Sequence, residues 1–165
     1  MSMYNSSIPV LQRYLSNYAN ILKKAEAHVE EKKLDESALC SFRLFPDMLP
    51  FRLQVIIACD MAKGCGARLS GVEAPKFEDT ETTFAELQER IAKTQAFLAT
   101  LSVEQIDGTE EKAISLKAGP TELNFSGAVY LNQFVLPNFY FHIATGYNIL
   151  RQNGVVLGKM DFMGA

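Results

Sequence analysis

Cysteine and histidine are scarce in this chain. There are three cysteines, Cys40, Cys59 and Cys65, and two histidines, His28 and His142. An odd cysteine count, with no basic N-terminal stretch leading into an apolar run, argues against a secreted disulfide scaffold and for reduced thiols in a cytoplasm. Cys59 and Cys65 lie six apart on a predicted helix and turn to different sides, so they form neither a redox nor a zinc pair. No Lys/Arg cluster occurs and the net charge is −3, which argues against a nucleic-acid surface. No apolar run approaches the ~20 residues of a membrane span. A Gly-rich phosphate loop, a Ser-His-Asp order and His-Glu-x-x-His are all missing.

What is present is helical periodicity. Ile8, Leu11, Leu15, Tyr18, Leu22, Ala25 and Val29 recur at alternating steps of three and four, the seam of a helix packed lengthwise on others. The spacing predicts a first helix to about Lys32, capped by Ser6 or Ser7 with Pro9 in its first turn. A connection of about 15 residues follows, long enough to cross a bundle. A second helix is expected from Met48 to Ser70, with Asp47 as N-cap. It is apolar on most sides and so has neighbours all round. Gly64 and Gly66 within it suggest the close approach of another backbone.

Thr83 and Glu86 make a capping box for a third helix. Its seam is Phe84, Leu87, Ile91, Leu98 and Leu101, with Thr94 in the place between, and Glu, Lys, Gln and Arg are assigned to its surface. The period then changes to two. Ile114 and Leu116, then Leu123 and Phe125, flank an Ala-Gly-Pro-Thr turn, a hairpin that must lie on the helices to persist. The last helix is expected from Ser126 to Gly154, disturbed by Pro137, with an apolar tail packed down after it. The expected fold is all-α, one four-helix bundle over the whole chain with a small hairpin before the last helix.

Two polar groups fall on the predicted core faces. With His142 set at zero, Leu131, Val135, Gly146 and Ile149 lie within about 40°. Asp60 falls among Leu53, Ile56, Gly64 and Ala67 of the second helix. A buried carboxylate needs a partner, and His142, Arg68, Tyr140, Tyr147 or backbone donors can supply one. An Asp60–His142 contact is either an orienting polar pair between helices or a site, as a base or with a metal. His28, among Glu26, Glu30 and Glu31, reads as solvated, and the cysteines as core thiols. The acidic run Glu78, Asp79 and Glu81 suits the positive end of a helix.

Three blocks carry a resemblance: "LFPDMLPFRLQVIIACDMAKG", "FEDTETTFAELQERI" and "LPNFYFHIATGYNILRQNGVVLGKMDF". Over nearly its full length the chain resembles a bacterial and fungal domain-of-unknown-function family within the DinB/YfiT-like superfamily. That implies a DinB-like bundle, often dimeric. Some superfamily members are metal-dependent thiol transferases or isomerases, with one histidine on the second helix and two in a His-x-x-x-His-like arrangement on the last. Here Gln54 and Asp60 stand near the first position, Gly146 breaks the second motif, and Gln152 stands where relatives often carry histidine. The expectation is a cytoplasmic, non-catalytic or small-ligand-binding homodimer without cofactor, membrane or nucleic-acid partner. The alternative is a transferase or isomerase-like enzyme with zinc or nickel held by Asp60, His142 and Gln54 or a water.

Overall fold

The computed structural model describes residues 2–164. Helix α1 (Met3–Lys32) carries the first seam, and Ile8, Leu11, Leu15, Tyr18, Leu22 and Ala25 are all buried. It begins five residues ahead of Ile8. Ser2 is the N-cap and its Oγ accepts from the Asn5 amide at 3.1 Å. Asp107 Oδ1, from a short helical turn more than a hundred residues on, accepts the Tyr4 amide at 2.9 Å and the Ser2 hydroxyl at 2.7 Å. Half of this cap is therefore distant in sequence, and Pro9 lies inside the helix rather than in its first turn.

The connection to the next long helix holds a short helix, α2 (Glu36–Cys40). Helix α3 (Phe51–Ser70) starts with Pro50, not Asp47, as its N-cap. Twelve of its twenty residues are buried, as its all-round apolar character requires. Gly66 is approached by the side chains of Leu98 and Leu101 rather than by a backbone. Helix α4 (Phe84–Leu98) has the expected capping box, with a second carboxylate added: Glu36 Oε1 of α2 accepts the Phe84 amide at 2.6 Å. A short helix α5 (Val103–Ile106) precedes the hairpin of β1 (Ala113–Ala118) and β2 (Thr121–Ser126), which pairs Ile114 with Phe125 and Leu116 with Leu123. Gly119, at φ 59, supplies the positive φ its tight turn demands.

The last long helix runs on from β2 as α6 (Gly127–Val129), a π-helical stretch (Tyr130–Val135) and α7 (Leu136–Gln152). The expected disturbance at Pro137 takes this form. Proline has no N–H for the carbonyl four residues back, and its ring crowds that carbonyl. The wider turn relieves both, and Leu136 N–H donates to Leu131 O, five residues back. Gly154 at φ 89 follows the helix end, and the tail folds into α8 (Lys159–Met163) along α1. In the bundle α1 packs on α4, α4 on α3, α3 on α7 and α7 back on α1. No helix among the described residues is long and apolar enough to cross a membrane.

Candidate functional site

The packing of α3 against α7 brings Gln54 and His142 together. Gln54 is 1% exposed, and its Nε2 donates to the Leu49 carbonyl at 2.8 Å. That bond turns Oε1 toward α7, where it stands 2.7 Å from His142 Nδ1. An amide oxygen only accepts, so Nδ1 carries the proton and Nε2 holds the lone pair. His142 is half-buried rather than sunk in the core, with the Phe141 ring edge-on beside it.

Asp60 does not meet His142. It lies six residues beyond Gln54, about 120° round the helix, and so faces α4 instead of α7. Its Oδ1 is 3.0 Å from Arg90 Nη2 and 3.0 Å from Lys63 Nζ. The expected pair is corrected to two separate contacts, Asp60 with Arg90 and His142 with Gln54. None of His142, Arg68, Tyr140 and Tyr147 meets the Asp60 carboxylate, and Arg68 is engaged with the Tyr130 hydroxyl at 3.0 Å.

Arg90 is the residue the sequence reading placed wrongly, on the surface of its helix. Its side chain is 1% exposed. Nη1 donates to Glu78 O at 3.1 Å and Glu81 Oε1 at 2.9 Å, Nη2 donates to Asp60 Oδ1 at 3.0 Å, and Asp79 Oδ1 makes an ion pair with Nη2 at 2.9 Å. Burial alone would lower its pKa; the bond to Glu81 and the charges of Asp60 and Glu81 outweigh that and raise it. The signal was available. Arg90 falls three after Leu87 and four before Thr94, at the edge of the seam, and the acidic run Glu78–Glu81 is its counterpart rather than a helix-end decoration.

One turn beyond His142, Gly146 leaves a groove in α7 that the Tyr18 phenol of α1 fills. The Tyr18 hydroxyl is fully buried and has no hydrogen-bond partner among the described residues. Its pKa is raised well above the ordinary value, first by burial and then by the neighbouring Cys59. Cys40, Cys59 and Cys65 are all buried, and desolvation pushes each thiol up to about 12. They are packing groups, not nucleophiles.

As a metal centre this donor set does not fit. Among the described residues no three His, Cys, Asp or Glu side chains are grouped as ligands. Gln54 Oε1 is occupied by the imidazole N–H, and Asp60 by two cations. Within this donor set His142 Nε2 is the nitrogen without a bond among the described residues.

Burial lowers the His142 pKa. The folded protein therefore favours the neutral ring, while the unfolded chain takes up a proton near the ordinary value of about 6.5. This contribution is complete above that value and is lost as pH falls through the depressed folded pKa. Urea midpoints measured between about pH 7 and pH 5 should drop more steeply for the wild type than for His142→Gln. Parallel curves would mean that the ring's burial is not felt.

The bundle with a hairpin before its last helix is a DinB-like architecture. The crystal structure of a DinB family member protein from Shewanella denitrificans is similar to this chain with a TM-score of 0.88 and 39% identity, over 98% of this chain and 92% of that one. The chain belongs to the family described as a domain of unknown function, DUF1993, which matches residues 3–163. No curated protein matches it. The fold expected from the resemblance is the fold observed.

Proposed function

We propose that this protein is a non-catalytic helical bundle that acts by binding a small ligand, as a homodimer in the cytoplasm. The observation that carries this reading is the separation of Asp60 from His142. The carboxylate is neutralised on the α4 side by Arg90 and Lys63, and the imidazole is held on the α7 side by a neutral amide. Two groups in different places make neither an acid–base pair nor a chelate. Zinc or nickel at His142 would have one nitrogen and no anionic protein ligand beside it, too little for a resident metal.

Support for the dimer is the resemblance itself, together with Phe45 and Phe141, which are 63% and 55% exposed. The net charge of −3 disfavours nucleic acid as partner. Elemental analysis of protein purified without a histidine tag tests the core of the reading. The expected result is zinc and nickel far below one per chain. One metal per chain, lost in His142→Ala, would establish the transferase-like alternative instead. Light scattering at micromolar concentration should give twice the chain mass, and a monomer would remove the dimer from the reading.

A further inference from the structure

Charge is spread unevenly along this chain. Residues 123–150 contain no Asp, Glu, Lys or Arg, although 21% of the chain is charged. That stretch includes nearly all of the last long helix. The helix is not hidden on every side: Gln133, Pro137, Phe141 and Asn148 are exposed, Phe141 at 55%. The outer positions of the other long helices differ. Lys23, Glu26 and Glu30 are exposed on α1, and Glu86, Glu89 and Lys93 on α4. A helix face that meets water is ordinarily polar and charged. Aromatic residues without charge mark the covered centre of a protein–protein contact instead.

The adjoining strip of α3 continues this face. Gln54 points to α7 and Asp60 to α4, so Leu53 and Ile57 fall between those directions on the outer side of α3. Both are only half-buried, and Leu49, just before the helix, is 40% exposed. Leu49 and Phe141 adjoin the same contact: Leu49 O accepts from Gln54 Nε2, and the Phe141 ring lies 5.3 Å from that of His142.

We infer that the outer face of α3 and α7 is where a second copy of this chain docks, in a two-fold arrangement. The lack of charge is what selects a second copy. In a two-fold contact one surface meets itself, so a charge near the axis opposes its own kind. The charged outer faces of α1 and α4 would oppose like to like, and the α3–α7 face does not. Size agrees with this. The two helices are 20 and 17 residues long. At about 25–30 Å in length and about 10 Å apart, they present roughly 500–600 Å² of flat area. Their accessible surface is larger, near the ~800 Å² each partner of a stable complex buries. This gives a surface to the homodimer reading above, on which it rests.

The test is sedimentation equilibrium of the full chain as wild type, Phe141→Glu, Leu49→Lys and Ala92→Glu, the last at an exposed position of α4. The wild type should be a dimer at micromolar concentration. Phe141→Glu and Leu49→Lys should each raise the dissociation constant about tenfold or more, since a two-fold contact receives each new charge twice. Ala92→Glu should leave it unchanged. Amide NMR of the wild type on dilution gives the same reading without a variant: the shifts on dissociation should fall in residues 49–57 and 134–148. A wild-type dimer that both face variants leave intact, or dilution shifts centred on α1 or α4, overturns this proposal and leaves the homodimer reading standing. A wild-type monomer overturns both.

Discussion

Arg90→Met should lower the stability of the protein by about 3 kcal/mol, read as a fall in the urea midpoint at unchanged slope. The side chain is buried and four oxygens from two separate segments converge on it: Asp60 from α3, and Glu78 O, Asp79 and Glu81 from the loop before α4. Methionine fills similar volume and satisfies none of them. The loss belongs at the lower end of the range for breaking a buried ion pair, about 3–5 kcal/mol, because part of the freed charge can reach water. The Asp60 side chain is 33% exposed and that of Asp79 58%, whereas Glu81, at 13%, is left stranded. Arg90→Lys should recover only part, since one ammonium cannot meet four acceptors in a planar fork. Asp79→Asn, at the exposed end of the network, should cost less than about 1 kcal/mol. Amide exchange in residues 77–83 should rise in Arg90→Met, since the guanidinium is what pins that loop. A Met variant within about 0.5 kcal/mol of wild type would mean that these contacts hold nothing together.

Gly146→Ala is expected to change sign relative to the ordinary rule. Alanine inside a helix is worth about 1 kcal/mol over glycine. At this position the added methyl would enter the space of the Tyr18 phenol, and the bundle must shift to admit it. Overpacking of this kind costs about 1–3 kcal/mol, enough to reverse the gain. Tyr18→Phe alone should be neutral or stabilising by about 1 kcal/mol, because it deletes a buried hydroxyl that has no partner among the described residues. The double variant should recover part of the Gly146→Ala loss, and only part, since the ring carbon Cζ would still lie 2.9 Å from the new methyl. Thermal or urea unfolding of the four proteins gives the coupling directly. If Gly146→Ala stabilises, or the two changes simply add, α1 and α7 are not interlocked at this point.

Two long helices of the bundle were legible residue by residue. The seam of α1 is buried from Ile8 to Ala25, with Val29 only half-buried at its end, and the α4 seam holds with Thr94 inside, its hydroxyl turned back to Arg90 O at 2.9 Å. The Thr83–Glu86 box and the hairpin around Gly119 are local patterns, and they appear as read. The start of α1 was missed because part of its cap comes from Asp107. The short α2 was missed because five residues carry too little periodicity to show.

The site was legible only in outline. Position on the helix marked Asp60 and His142 as core groups; both meet a neighbouring helix but stay half-buried, and spacing did not say which groups they would meet. Arg90 was misplaced because a charged residue beside a seam reads as surface until its counter-charges are known. Those lie nine to thirty residues away on other segments. Local spacing settled by itself which apolar residues of each helix face the core, because that stripe repeats every turn of a single element. The choice of partner among the inward polar groups, and so the difference between a catalytic pair and two structural contacts, was made by how α3 is rotated between α4 and α7. That rotation comes from packing summed over whole helix faces, and no short stretch of chain encodes it.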